Sequence, residues 1–256
     1  MTECFTRFSF QGETAVYLLP FAGGSASSYW QWAQSFPVDV QVSAAQLPGR
    51  QDRWREEYYT GMPTLVADLA DEIAADLHGR RYVLFGHSMG ATMAFELARE
   101  LRRRGVPEPA LLAVSAMSAP HQPRDVEPVC GQSDDELAAA TCRGGGLPDQ
   151  ILHNPELLEL VVPTLRADLE LIDAYEHIPG EPLTCPIVVF GGTDDQLVPS
   201  GALAGWHELT LATTTVRTFP GNHFYLWEHE QEIASVITAA LRADAPERTP
   251  LSTTAA

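Results

Sequence analysis

The segment Gly86–Gly90, which reads Gly-His-Ser-Met-Gly, constrains the fold of this chain more than any other. Residues 82–85 before it are apolar and predict a buried strand, and residues 91–101 after it predict a helix. A Gly-x-Ser-x-Gly segment between a strand and a helix forms a sharp turn, which strains the serine backbone and exposes its hydroxyl. Larger side chains at the outer positions would collide with the strand and the helix, so both must be glycine. We therefore predict that Ser88 is a nucleophile.

Strand and helix patterns alternate along most of the chain. The apolar runs predict strands at 14–19, 38–44, 82–86, 110–117, 186–190 and 214–218, and the helical patterns lie at 63–78, 90–104 and 230–243. This alternation is typical of an α/β protein with a mostly parallel central sheet and helices on both faces. The length of the chain fits one such domain, at 1–243, and the polar, proline-containing residues 244–256 predict a disordered tail.

Residues 121–180 interrupt the alternation, because they contain helix signals and no convincing strand. Residues 133–136 and 154–156 are typical helix starts, with a polar N-cap residue followed by acidic residues or proline. Residues 144–146 are all glycine and predict a flexible joint between the two helices. A helical block inserted here is expected to lie over the carboxyl ends of the strands, where α/β sheets bind ligands, so we predict a lid.

A serine nucleophile needs a base, and the base needs an acid that fixes its tautomer. Two aspartates, Asp194 and Asp195, follow the predicted strand at 186–190, and spacing from the neighbouring glycine and valine favours Asp195. His223 follows the turn after the last predicted strand. The order serine, acid, histidine is that of α/β-hydrolases, so Ser88, Asp195 and His223 are the predicted catalytic residues, with Asp194 the alternative acid.

An oxyanion hole requires two backbone N–H groups directed at the tetrahedral oxygen. One is expected from Met89, directly after the nucleophile, and the other from Phe21 or Ala22, in the loop after the first predicted strand. Phe21 is the preferred choice, and the glycines at 23–24 let the backbone approach closely.

Other histidines are weaker candidates for the base. His87 lies inside the turn and is expected to point away from Ser88, and His229 lies at a predicted helix start, where a surface or capping role suffices. The histidines and cysteines lack the spacing of metal ligands, and the glycines near 23 match no nucleotide-binding motif. We therefore expect no metal and no bound cofactor.

The composition excludes several classes of partner. The formal net charge of −18 argues against nucleic acid, because no excess of Lys and Arg exists to neutralise phosphates. No apolar run reaches the length of a membrane span, and the N-terminus has no secretory signal. We therefore expect a cytoplasmic protein with reduced cysteines, and a monomer, since no exposed apolar segment indicates an interface.

Five segments together carry a resemblance to a known family. The sequence resembles the stand-alone type II thioesterases that accompany polyketide synthases and non-ribosomal peptide synthetases, at residues 19–26, 46–50, 85–90, 191–195 and 221–224. The Pro-Gly-Arg segment at 48–50 is the most discriminating, since general esterases rarely combine it with the other four. The resemblance implies the α/β-hydrolase fold, whereas the lid predicted at about 121–180 carries no motif of the family.

The same resemblance implies the reaction and the partner. Such enzymes hydrolyse acyl thioesters on the phosphopantetheine arm of acyl or peptidyl carrier proteins and so clear stalled or misprimed units. The carrier is expected to bind transiently, through the apolar surface of the lid or the arginines near 50–55. The phosphopantetheine belongs to the substrate.

Three rival functions fit parts of this pattern. A small-molecule carboxylesterase of the same fold would hydrolyse oxygen esters equally well and ignore the carrier. A chain-releasing domain of a larger synthase is disfavoured, because this chain begins with methionine and ends in a short tail. A non-catalytic carrier-binding protein is disfavoured by the intact serine, aspartate and histidine.

Overall fold

A computed structural model describes residues 3–9, 12–123 and 128–243. Their strands form one seven-stranded sheet in the order β1-β3-β2-β4-β5-β6-β7. All neighbouring strands are parallel except β1 and β3, which are antiparallel. The strands are β1 Phe5–Arg7, β2 Thr14–Leu19, β3 Val40–Ala45, β4 Arg81–His87, β5 Leu111–Ser115, β6 Ile187–Gly192 and β7 Thr214–Phe219. This sheet confirms the predicted α/β fold. The predicted tail, 244–256, lies outside the described residues.

Helices cover both faces of the sheet. The α-helices are α1 Trp30–Ala33, α2 Met62–Leu77, α3 Met89–Arg103, α4 Asp134–Arg143, α5 Pro155–Asp173 and α6 Glu230–Arg242, and short 3₁₀ helices lie at Ala26–Tyr29, Gln51–Arg53, Asp149–His153, Ser200–Leu209 and Tyr225–Trp227. Leu19 and Leu84 of the sheet are buried on the side of α2 and α3. Leu18 and Phe85, one residue away in each strand, are buried on the side of α1 and α6, because successive side chains of a strand point to opposite faces.

The edge strand β1 was not predicted from the sequence. It has three residues, of which only Phe5 is buried, so it shows no apolar period. Instead it is held by distant contacts: it pairs with β3, and the backbone N–H groups of Cys4 and Phe5 donate to the Glu72 carboxylate on α2. The strand predicted at 38–44 begins two residues later, since Val38 lies in a turn and is 93% exposed.

The stretch predicted to be helical contains α4 and α5, which we call the helical insertion. Ser133 caps α4, because its hydroxyl accepts a hydrogen bond from the Glu136 N–H while the Glu136 carboxylate accepts one from the Ser133 N–H. The Asn154 side chain accepts from the first backbone N–H groups of α5. Both helix starts therefore lie where the sequence predicts them.

Two of the three glycines after α4 are close-packing positions, whereas the sequence pattern suggested a flexible joint. A Cβ atom on Gly145, which has a φ of +85°, would lie 2.7 Å from the Asn222 amide nitrogen, and one on Gly146 would lie 2.9 Å from the Phe224 ring. Asn222 and Phe224 flank His223 in the chain. The lack of side chains therefore lets the helical insertion contact the loop that carries His223.

Asp76, near the end of α2, connects this helix to three strands. Its carboxylate accepts hydrogen bonds from Tyr17 on β2 at 2.6 Å, Gln41 on β3 at 2.8 Å and Arg7 on β1 at 2.8 Å, and also from Arg80. Burial alone raises the pKa of the Asp76 carboxyl, but these hydrogen bonds and the two arginine charges outweigh it and hold the pKa below its ordinary value of 3.8.

We expect Asp76→Ala to lower the free energy of unfolding at pH 7 by about 2–3 kcal/mol, since it leaves partly buried donors without their charged acceptor. Urea denaturation measures this. Because the folded pKa is depressed, the stabilisation by the ionised carboxylate is complete above pH 3.8, and the difference between wild type and variant should shrink as the pH falls below that value through the lower pKa of the folded protein. Asp71→Asn on the same helix is the control, since it breaks only an exposed ion pair with Arg104. A similar loss in both variants would contradict the prediction.

Candidate active site

The turn between β4 and α3 holds Ser88 in a strained conformation, with φ 54° and ψ −120°. A Cβ atom on Gly86 would lie 1.9 Å from the Gly90 carbonyl oxygen, and one on Gly90 would lie 2.2 Å from the Leu19 carbonyl oxygen. The Ser88 N–H donates to the Ser115 carbonyl oxygen on the neighbouring strand at 2.8 Å. The two glycines are therefore required by backbone contacts on either side of the serine, as the sequence predicts.

The three predicted catalytic side chains form one hydrogen-bonded chain. The Ser88 Oγ lies 3.0 Å from His223 Nε2, and His223 Nδ1 lies 2.8 Å from Asp195 Oδ2. The Asp195 side chain is fully buried and the His223 side chain is 5% exposed. A buried carboxylate beside Nδ1 favours the tautomer whose Nε2 is free to accept the serine proton.

The neighbouring aspartates have different contacts. Asp195 Oδ1 also accepts from the backbone N–H groups of Leu197 at 2.8 Å and Val198 at 3.0 Å, which fixes the carboxylate in place. Asp194 Oδ2 instead accepts from the Thr193 hydroxyl and the Gly221 N–H, and so connects the loops after β6 and β7. The structure thus places Asp195 against His223, whereas Asp194 contacts only groups of the two loops.

The predicted oxyanion-hole residues lie in two segments, the first turn of α3 and the turn that follows β2. Met89 is the first residue of α3, where backbone N–H groups have no acceptor within the helix. The turn 21–24 is closed by a 2.8 Å hydrogen bond from the Gly24 N–H to the Phe21 carbonyl oxygen, with Gly23 at φ +77°. The Phe21 ring packs against Phe224, with ring centroids 4.9 Å apart. The N–H groups of Met89 and Phe21 stay our predicted donors, with Ala22 as the alternative to Phe21.

His87 directly precedes Ser88 in the chain and is completely buried. Its Nδ1 lies 2.8 Å from the Ser115 Oγ, which lies 2.6 Å from the Tyr225 hydroxyl. Its ring centroid is 5.2 Å from that of His223. Burial, together with the nearby His223, lowers the pKa of His87 well below its ordinary value of 6.5. The imidazole therefore stays neutral and adds no positive charge beside His223.

His229 is the N-cap residue of α6, but its side chain makes no capping hydrogen bond. Its Nε2 lies 3.2 Å from the Pro220 carbonyl oxygen, and its ring packs on Phe219 with centroids 4.7 Å apart. These contacts join His229 to the end of β7 and the turn that precedes His223, so its role is structural.

The expected docking role of the arginines near 50–55 is wrong for two of them. Arg50 and Arg53 are 8% and 5% exposed, and each forms an ion pair, with Asp168 and Glu56 respectively. Arg55 remains exposed. Asp168 was missed by the sequence reasoning, although a signal exists: it lies on the apolar face of α5, which also buries Val162, Leu165, Leu171 and Ile172.

Two features of other protein classes are absent from the residues that the structure describes. Within residues 3–9, 12–123 and 128–243, no group of three or more His, Cys, Asp or Glu side chains is arranged to hold a metal ion. No helix in the same ranges has the length and apolar character needed to span a membrane.

The sheet order, the strained serine turn and the Ser88–His223–Asp195 contacts are those of an α/β-hydrolase. The family model of the thioesterase domain matches residues 14–241, and the chain belongs to this family. It is 34% identical to the gramicidin S biosynthesis protein GrsT of Aneurinibacillus migulanus over 227 residues, which cover 89% of this chain and 88% of that protein.

Two further similar proteins are also thioesterases. The chain is 35% identical to the thioesterase PikA5 of Streptomyces venezuelae over 235 residues, covering 91% of this chain and 83% of PikA5. Among solved structures, it is similar to the type II thioesterase BorB from the borrelidin biosynthetic cluster, with a TM-score of 0.85 and 37% identity over 93% of this chain and 97% of BorB. The predicted resemblance to type II thioesterases is therefore confirmed.

We expect Asp195→Asn to lower kcat by about 10⁴-fold, because the amide no longer fixes the His223 tautomer. Asp194→Asn is the matched control, since its contacts are with the loop backbone, and it should change kcat by less than about tenfold. Steady-state thioester hydrolysis measures both. A larger loss in the Asp194 variant would exchange the two assignments.

We expect the neutral state of His87 to make the protein sensitive to acid. Because the folded pKa is depressed, the unfolded chain binds a proton below pH 6.5 that the folded protein does not, so stability falls as the pH decreases. In His87→Asn this contribution is absent, and the stability should fall by up to about 1.4 kcal/mol less per pH unit below that value. His78→Asn, at an exposed position, is the control. Parallel stability curves for His87→Asn and wild type would contradict the prediction.

Proposed function

We propose that this protein is a serine thioesterase that hydrolyses acyl groups from the phosphopantetheine arm of acyl or peptidyl carrier proteins, and so clears stalled or misprimed units. The observation that carries the proposal is the hydrogen-bonded Ser88–His223–Asp195 chain in a member of the thioesterase family. Relatives named for gramicidin S and borrelidin biosynthesis support the carrier-bound substrate.

The first half of the reaction transfers the acyl group to the protein. His223 Nε2 takes the proton of Ser88 as its Oγ attacks the thioester carbonyl carbon. The negative charge that develops on the carbonyl oxygen is stabilised by the N–H groups of Met89 and Phe21. The tetrahedral intermediate then expels the phosphopantetheine sulfur, which takes the proton from the His223 imidazolium and leaves as the free thiol, so that His223 is neutral again. Its departure is easy because a thiol has a pKa near 8.5, far below that of an alcohol.

The second half regenerates the serine. His223 removes a proton from water, the resulting hydroxide attacks the acyl carbon, and the same N–H groups hold the second oxyanion. Collapse of this intermediate releases the carboxylic acid, and Ser88 recovers its proton from the imidazolium. Asp195 stabilises the imidazolium in both halves through its 2.8 Å contact with Nδ1. The reaction as proposed uses water and these side chains, with no cofactor of the protein's own.

The net charge of this chain indicates how it associates with a carrier protein. Carrier proteins are typically acidic, and this chain carries a net charge of −18, so the two net charges do not steer the partners together and association is slow. The local contact then has to come from apolar surface. Leu160 on α5 is 73% exposed and Trp54 is 62% exposed, with Arg55 stacked on its ring at 4.6 Å.

We further propose that the enzyme acts as a monomer in the cytoplasm, where carrier-bound intermediates are made. None of its cysteines, at positions 4, 130, 142 and 185, forms a disulfide in the described structure. This arrangement is consistent with a reducing compartment.

The test presents acetyl, propionyl and longer acyl groups on a phosphopantetheinylated carrier protein, on a small thiol and as matched oxygen esters. We expect thioester hydrolysis that is faster on the carrier and that falls by about 10⁶-fold in Ser88→Ala. Ser235→Ala, at an exposed serine of α6, is the control and should keep full activity. Preference for the oxygen ester with no carrier effect would identify a small-molecule esterase instead, and binding of the carrier without turnover would identify a non-catalytic protein.

A further inference from the structure

Arg50 and Asp168 form a buried, two-pronged ion pair between segments 118 residues apart. The Arg50 Nη1 lies 2.6 Å from Asp168 Oδ2, and its Nη2 lies 2.7 Å from Asp168 Oδ1. The side chains are 7% and 6% exposed. Arg50 follows the Pro-Gly turn after β3, and Asp168 lies on α5, so the pair joins the helical insertion to the body of the protein.

The same two side chains also hold the turn 21–24. Asp168 Oδ2 accepts a 2.8 Å hydrogen bond from the Gly23 N–H, and Arg50 Nη1 donates a 2.7 Å hydrogen bond to the Gly24 carbonyl oxygen. One residue therefore binds a donor of the turn and its ionic partner binds an acceptor. This is the turn whose other end carries the predicted oxyanion-hole N–H of Phe21, and it is closed by the Gly24-to-Phe21 hydrogen bond.

Arg50 is itself held in place by Gln46, in the loop after β3. The Gln46 side-chain amide donates to the Arg50 carbonyl oxygen at 3.2 Å, and its side-chain oxygen accepts from the Ala26 N–H at 3.0 Å. The Arg50 Nε donates to the Pro48 carbonyl oxygen. The guanidinium thus reaches the turn from a backbone that is already fixed, so less side-chain freedom is lost on forming the pair.

We propose that the Arg50–Asp168 ion pair positions the oxyanion-hole turn, so that α5 of the helical insertion determines how fast the chemical steps proceed. This inference rests on the proposed serine thioesterase function. Both are positioning residues, because they act on the reaction through the backbone of residues 21–24. Through this pair, the geometry of the oxyanion hole depends on the contact between α5 and the turn 21–24.

Energetics separates this role from simple stabilisation of the fold. Burying two charges costs several kcal/mol per ion, and replacing such pairs by apolar side chains is often neutral for stability. Apolar side chains already anchor α5. Leu171 and Ile172 are buried in the core that lies on the α2 and α3 face of the sheet, and Leu165 is buried with residues of α4. An apolar pair could seat the helix, but it could bind neither the Gly23 N–H nor the Gly24 carbonyl oxygen.

The accuracy with which oxyanion-hole donors must be placed explains why the turn is held by two charged side chains. Oxyanion-hole donors act only when they lie about 2.7–3.1 Å from the developing charge, and loss of one donor lowers kcat by about 10²–10³-fold. A displacement of about 1 Å in a positioning group can cost about 10²-fold. Gly23 has a φ of +77°, which glycine adopts readily. Because glycine has no side chain, contacts from other residues must hold this part of the backbone in place.

The test compares Asp168→Asn and Arg50→Lys with Glu56→Gln, which weakens the neighbouring Arg53–Glu56 pair without touching the turn. Each variant is titrated to completion with a fluorophosphonate, which counts folded sites with a reactive Ser88, and kcat is expressed per titrated site. We expect kcat per site to fall by about 10–100-fold in the first two variants with KM within about threefold, and the control to stay within about twofold of wild type.

Two inhibitors give a second readout that fold stability alone would not move. A trifluoromethyl ketone analogue of acyl-pantetheine forms a tetrahedral oxyanion on Ser88, whereas a pantetheine thioether only occupies the site. In Asp168→Asn we expect the inhibition constant of the ketone to rise by about the same factor as kcat falls, with the thioether constant unchanged. If Asp168→Asn does not fold, Arg50→Lys, which keeps the charge but cannot form the full fork, carries the same comparison.

Two results would overturn the inference. One is a folded variant with wild-type kcat per titrated site. The other is an equal weakening of both inhibitors, which would mean that the pair shapes the substrate site in general. Failure of the proposed function looks different, because wild type and the Glu56→Gln control would then lack thioester hydrolysis that depends on Ser88.

Discussion

The close backbone contact around Ser88 is the constraint on which the rest of the structure depends. A strained conformation of this kind costs about 1–3 kcal/mol and persists only where its surroundings determine it completely. Here β4 is paired with β2 on one side and β5 on the other, and the glycines at 86 and 90 let α3 start within van der Waals distance of the end of β2. The paired centre of the sheet therefore fixes the backbone of Ser88, from which its hydroxyl projects.

Parallel pairing brings the remaining groups to the same edge. Ser88 follows β4, Asp195 follows β6 and His223 follows β7, and all three strands run in one direction, so their carboxyl ends lie together. Residues from three distant parts of the chain meet there within hydrogen-bond distance. The loops themselves are fixed by backbone contacts, such as the bonds from the N–H groups of residues 197 and 198 to Asp195.

The helical insertion contacts this edge from two directions. On one side, the glycines after α4 pack against Asn222 and Phe224, which flank the histidine. On the other side, Asp168 of α5 binds the turn that follows β2. The helical insertion thus contacts both the loop that carries His223 and the turn that carries the predicted oxyanion-hole N–H. Any change in its position would be transmitted through polar contacts of fixed geometry as well as through apolar packing.

The sequence by itself determined the features that local patterns encode. The periodicity of apolar residues predicted the main strands and helices, and the glycines around Ser88, the loop after β6 and the turn before His223 indicated the site. Tertiary structure alone decided the strand β1, the packing of Gly145 and Gly146, and the partnership of Arg50 with Asp168. These depend on contacts between residues far apart in the chain. A charged residue looks the same in sequence whether it faces solvent or a buried partner, and only the fold brings the partner within reach.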